Sequence, residues 1–199
     1  MLIILKPSIF SKQMTDHPIT DHFTFSEERL RSLIRAIPDW PEPGVTFRDI
    51  TTLLKDPQGM RMVHGTFAER YRNSNITHIG ALDARGFLLG APLADALGLP
   101  LVIFRKPGKL PAATIREEYT LEYGKAALEV HTDALTEDSH VVLIDDLIAT
   151  GGTLLAANNL VNRLGGHVVE AAAIIDLPIL GGSAKLQANG ISYFALTTY

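Results

Sequence analysis

Cysteine is absent from the 199 residues. Its absence excludes disulfides and thiolate metal ligands, and it fits a reducing compartment. Long apolar runs are missing too. No stretch approaches the roughly 20 residues of a membrane span, and Leu2 to Leu5 is too short for a secretory core and follows no charged segment. Export is therefore not expected, and the cytoplasm is the expected location. Nor is there an excess of positive charge. Lys plus Arg is 18 against 22 for Asp plus Glu, a net charge of -4 with a sequence pI near 5.9. The broad basic footprint of a nucleic-acid binder is lacking, so neither nucleic acid nor membrane is an expected partner. The seven histidines show no ligand spacing, which argues against a metal held by the protein alone.

What is present is the composition of an ordinary globular domain, 46% hydrophobic and 20% charged. The length suits one domain with a full core. Met1 to Thr24 shows no sustained periodicity, so residues 1–25 are expected to be a poorly ordered extension, with Met14 as an alternative start, and residues 26–199 to form a single domain.

Ser26 to Ile37 opens with a cap residue and two acids and carries Leu30, Leu33, Ile34 and Ile37 at helical spacing, which predicts a helix ended by Pro38. PDWPEPGVTFRDIT then sets an irregular path, and Asp56 to Tyr71 reads as a second helix. Beyond it strands and helices alternate: strand Ile76 to Leu82, helix Phe87 to Leu97, strand Leu101 to Phe104, a charged β-leaning stretch from Thr114 to Val130, strand His140 to Ile144, helix Thr153 to Leu164 and strand Val168 to Ile175. This pattern predicts an α/β fold, a mainly parallel central sheet flanked by helices. In such sheets ligands bind beyond the carboxyl ends of the strands, so the loops there should carry the chemistry.

Three of those loops are unusual. Val141 to Thr153 reads VVLIDDLIATGGT, in which Thr150, Gly151, Gly152 and Thr153 lead directly into a predicted helix. Glycines admit close backbone approach, and the first amides of a helix lack internal acceptors. Hydroxyls add donors, so the segment forms a cradle for a phosphate. Asp145 and Asp146 immediately before it would repel a bare phosphate. A phosphorylated ribose removes the conflict, since its hydroxyls can donate charge-assisted hydrogen bonds to both carboxylates. In the second loop, Arg85 of DARG stands at the start of a helix, where a cation opposes the macrodipole unless an anion lies near, and it looks like a further phosphate contact. The third, RKPGKLP, sets Arg105, Lys106 and Lys109 around Pro107 and Gly108. So many cations on an acidic protein imply a second anion, a pyrophosphate on the sugar, with magnesium bridging its oxygens.

VVLIDDLIATGGT resembles the phosphoribosyl-pyrophosphate (PRPP) signature of the type I phosphoribosyltransferases. PEPGVTFRDIT, ALDARGFLLGAPLA, FRKPGKLP and YTLEYGKAALEVH together resemble the adenine phosphoribosyltransferase family, from about Ser26 onward. The resemblance implies the type I fold with a small N-terminal hood and a flexible loop, and a purine salvage enzyme that makes AMP and pyrophosphate from adenine and PRPP with magnesium. It also implies a homodimer. Carried over by residue, Asp145 and Asp146 would hold the ribose hydroxyls and Ala149 to Thr153 would wrap the 5-phosphate. Arg85 would meet the pyrophosphate from a loop whose Asp83–Ala84 peptide is often cis in the family. Arg105, Lys106 and Lys109 would belong to the flexible loop region. Glu122 would be the general acid/base at the adenine imidazole, with Tyr123 beside it. Phe47 would stack on the purine while the backbone of Thr46 and Arg48 reads its edge. A phosphoribosyltransferase for another base and a non-catalytic PRPP-sensing regulator are the alternatives.

Overall fold

The computed structural model describes residues 24–120 and 125–199. The expected extension therefore lies, up to residue 23, outside the described residues, as do Glu122 and Tyr123.

Five parallel strands form the central sheet in the order β4-β3-β7-β8-β9: β3 His78–Leu82, β4 Leu101–Phe104, β7 His140–Ile148, β8 His167–Asp176 and β9 Tyr193–Thr198. Their central stretches are almost wholly apolar, as strands covered on both faces must be. Alternation along β7 sends Val142 and Ile144 into one core, and Val141 and Leu143 into the other. The first core is closed by α3 (Pro57–Tyr71) and α4 (Gly86–Leu97) through Met62, Val63, Phe67, Leu89 and Leu93. The second is closed by α5 (Gly152–Arg163) through Leu154, Leu160 and Val161. Asp56 caps α3, its carboxylate accepting from the Gly59 N–H at 2.7 Å, with Pro57 at the first helical position.

The chain leaves β3 for β4 on one side and later returns to β7 on the other. This reversal opens a crevice between the carboxyl ends of β3 and β7, the switch point at which open α/β sheets bind ligands. A ribbon of β1 (Arg35–Ile37) and β2 (Phe47–Asp49) stands apart from the sheet, and so does the hairpin of β5 (Thr114–Thr120) and β6 (Lys125–His131).

Three expectations are corrected. The first helix, α1, spans only Glu27–Ser32, and Arg35–Ile37 is a strand. A residue before proline is pushed out of the helical region, and Ile37, directly before Pro38, pairs with Phe47 instead. The irregular path contains β2 and a short helix α2 (Thr51–Leu54). Most consequentially, β7 does not end at Ile144. It runs on to Ile148 because the long β8 continues the ladder, Asp145 facing Ala173 and Ile148 facing Asp176. The two acids are strand residues. The chain after β8 also forms structure that the pattern did not predict, a 3-10 turn at Pro178–Leu180, α6 (Gly182–Ala188) and β9.

Candidate functional site

The crevice is built from the ends of β3 and β7. Gly86, the first residue of α4, packs directly on β7. A Cβ there would stand 2.5 Å from the Ile144 carbonyl oxygen, so only glycine lets the helix start this close. Arg85 is thereby carried across the gap, and its Nε donates to Asp146 Oδ2 at 2.6 Å. The carboxylate is buried while the guanidinium is half exposed. This hydrogen bond raises the already high Arg85 pKa, against the opposing effect of burial. Asp145 lies on the other face of the strand, with its Oδ1 accepting the Asp146 N–H at 2.8 Å. Burial first, and then the neighbouring Asp146 charge, push the Asp145 pKa well above the usual carboxylate range.

The Asp83–Ala84 peptide is cis. Asp83 points to the basic loop: its Oδ2 accepts from Arg105 Nε at 3.1 Å and from the Lys106 N–H at 3.4 Å. Glu129 of β6 holds the same loop, exchanging backbone hydrogen bonds with Arg105 and accepting the Gly108 N–H at 2.9 Å. Gly108 turns at φ 73°, and the chains of Lys106 and Lys109 stay exposed. Arg105 is thus tied into the crevice wall, whereas the two lysines face outward.

Beyond Ile148, Ala149 and Thr150 lead to Gly151 at φ 74°, and Gly152 and Thr153 open α5. The αL conformation at Gly151 turns the strand directly into the helix, leaving the first amides of α5 without intrahelical acceptors. Behind this turn lies Gly182, which sequence reasoning missed. A Cβ at Gly182 would stand 2.2 Å from the Ala149 carbonyl oxygen and 2.7 Å from the Gly151 nitrogen. The adjacent glycines at 181 and 182 were the only local signal. Asp176, at the end of β8 facing Ile148, was missed as well. It is buried, its Oδ1 has no hydrogen-bond partner among the described residues, and burial raises its pKa.

In the hood, Phe47 is partly buried with the Trp40 ring edge-on at 4.4 Å between centroids, and Thr46 is exposed. Arg48 follows on β2. Glu122 and Tyr123 lie outside the described residues, but the strands on either side pair as far as Thr120 and Lys125.

Residues 49–183 match the family model of the phosphoribosyl transferase domain. The adenine phosphoribosyltransferase of Pseudomonas aeruginosa is 59% identical over 175 residues, covering 88% of this chain and 96% of that protein. The chain belongs to the adenine phosphoribosyltransferase family. Among solved adenine phosphoribosyltransferases, the Thermoanaerobacter pseudethanolicus structure superposes with a TM-score of 0.83 at 44% identity, over 87% of this chain and all of that one. The Trypanosoma brucei enzyme, solved in complex with AMP, pyrophosphate and ribose-5-phosphate, superposes with a TM-score of 0.80 at 32% identity, over 92% of this chain and 81% of that one. The fold is therefore that of the type I phosphoribosyltransferases. The family-matched segment contains both crevice acids, Arg85, the basic loop and the glycine turn.

Proposed function

We propose that the protein is a purine salvage enzyme that transfers the 5-phosphoribosyl group of PRPP to adenine, releasing pyrophosphate and yielding AMP. The observation that carries this reading is the crevice between β3 and β7, where a carboxylate pair, a guanidinium and a glycine–threonine turn stand side by side. Relatives named for the same reaction support it.

In this reading the amides and hydroxyls of Ala149, Thr150, Gly151, Gly152 and Thr153 bind the 5-phosphate at the start of α5. Asp145 and Asp146 accept from the ribose hydroxyls. Displacement at the anomeric carbon passes through an oxocarbenium-like state, so the site must stabilise a departing polyanion and exclude water. Arg85 turns from Asp146 toward the pyrophosphate, joined by Arg105, Lys106 and Lys109. Phe47 stacks on the purine, and the backbone of Thr46 and Arg48 reads its edge. Glu122, with Tyr123 beside it, manages the proton of the base imidazole, a contribution of about 100-fold to 10,000-fold for such groups.

Among the described residues no three His, Asp or Glu side chains are grouped to hold a metal. Magnesium fits here as an ion carried by the oxygens of PRPP, with Asp145 and Asp146 as the carboxylates able to meet its waters. When bound it neutralises charge on the pyrophosphate. A homodimer in the cytoplasm, with residues 26–199 as one catalytic domain, completes the proposal. No helix among the described residues is long and apolar enough to cross a membrane.

The test mixes the protein with PRPP, magnesium and each nucleobase in turn and measures pyrophosphate release. Release with adenine alone is expected. Release with another base but not adenine overturns the assignment of base, and no release with any base overturns the enzyme reading in favour of a regulator.

A further inference from the structure

The hood consists of three residue pairs, Arg35 with Asp49, Ala36 with Arg48 and Ile37 with Phe47. A two-stranded ribbon of that size does not hold its own orientation, so its angle to the sheet depends on what anchors it. One anchor is at its base, where the Asp49 carboxylate takes Arg35 and the Thr51 N–H. The second comes from the far end of the chain. The Arg48 guanidinium lies over the Tyr199 ring with its carbon 3.9 Å from the centroid, and that of Arg31 lies over the same ring at 4.6 Å.

Tyr199 is itself held firmly. Its N–H donates to the Asp176 carbonyl at 3.1 Å, extending the ladder between β8 and β9. Arg31 donates to the Thr198 carbonyl and, at 2.9 Å, to Thr197 Oγ1, while the Thr197 hydroxyl donates to Glu27 Oε1 at 2.7 Å. Glu27 also accepts from Arg31 Nε at 3.1 Å, so it offsets one of the two cations that share the ring. A guanidinium on an aromatic face is attracted by the ring quadrupole, and the attraction strengthens as water is excluded.

We infer that Tyr199 is a positioning residue for the nucleobase subsite: its ring clamps Arg48, and through β2 it sets the angle at which the neighbouring Phe47 meets the base. The inference rests on the reading of Phe47 as the purine platform. Phe47 and Arg48 are consecutive strand residues, so a hood that rocks about its base displaces both, and the cost falls on base binding. The 5-phosphate cradle lies on β7 and α5, which Tyr199 does not touch through these contacts, so PRPP binding is spared.

Trp40 supplies a readout independent of activity. It is the only tryptophan in the chain, and its ring rests on Phe47. In Tyr199→Ala, Trp40 fluorescence should be quenched more readily by acrylamide, and the KM for adenine should rise about fivefold to thirtyfold, a span set by the loss of a cation–π clamp. The KM for PRPP should stay near that of the parent, while the melting temperature should fall by a few degrees, since the ring also packs on the first core. Tyr199→Phe, which keeps the ring, should restore both signals. Unchanged Trp40 quenching in Tyr199→Ala overturns the clamp, and so does an equal rise in both KM values. If the parent protein fails to turn over adenine, the functional reading falls, while the quenching comparison still decides whether Tyr199 holds the hood.

Discussion

Replacing Gly182 by alanine tests whether the proposed phosphate cradle depends on a second segment pressed against it. The added Cβ would meet the Ala149 carbonyl oxygen at 2.2 Å and the Gly151 nitrogen at 2.7 Å, both of them backbone atoms of the cradle that cannot rotate away. Restoring ordinary contact requires a displacement of about 1 Å, and an error of that size in a catalytic array costs about 100-fold in rate. The expected fall in kcat/KM for PRPP is thus about 100-fold, equivalent to about 2.7 kcal/mol of transition-state stabilisation. Gly181→Ala is the contrasting variant: its φ of 75° makes alanine strained, but nothing stands within 4 Å of the added carbon. It should lose about 1 kcal/mol of stability with kcat/KM within about threefold of the parent. The assay is pyrophosphate release as a function of PRPP concentration, paired with thermal melts. A Gly182→Ala protein that keeps kcat/KM for PRPP within threefold would refute the argument, and so would one no more impaired than Gly181→Ala.

Glu122→Ala should lower kcat at least about 100-fold while PRPP affinity stays near that of the parent; equal losses in both would remove its proton-transfer role. Asp145 has a folded-state pKa raised above its unfolded value, so the folded state binds the proton more tightly and stability falls as pH rises through the window between the two. Asp145→Asn should therefore raise the melting temperature at neutral pH, by roughly 2–4 °C per kcal/mol recovered, with the gain shrinking in acid, even as PRPP turnover drops by an order of magnitude or more. A variant less stable than the parent at neutral pH would contradict this. Asp49 shows the opposite sign. Arg35 and then the Thr51 N–H pull its pKa from 3.8 to about 2, so its contribution is complete above the unfolded value and is lost as pH falls toward 2. Melts of Asp49→Asn and the parent should converge over that range, and a constant gap would show that the carboxylate charge is not what matters.

How much of this was legible depended on whether the signal was local. Asp56 and Pro57 announce α3, and the apolar run of β4 was read to the residue, because cap chemistry and burial are written in neighbouring positions. The glycine turn into α5 was legible for the same reason, since Gly151 and Gly152 stand where the strand turns into the helix. The end of β7 was misread because two carboxylates look like a strand terminus. Only the length of β8, a partner some 30 positions on, keeps Asp145 and Asp146 in the ladder. The pairing of Arg85 with Asp146 needed the strand order, which places β7 beside β3 rather than beside β4. Gly182 and Tyr199 were invisible alone. Their meaning lies in Ala149, Gly151 and Arg48, each reached only through the folded chain.

The hydrogen bond between Arg85 and Asp146 also bears on what the crevice refuses. A guanidinium waiting free at a helix N-terminus beside a glycine turn would welcome any small anion, and inorganic phosphate and nucleotides are abundant in a cell. In the proposed reading, Arg85 leaves Asp146 for a ligand that brings a replacement for each partner: hydroxyls for the carboxylate and a polyanion for the cation. A bare phosphate brings only the second. On that proposal the internal ion pair is a lock with two wards, and a ribose carrying a pyrophosphate is the shape of key that turns both.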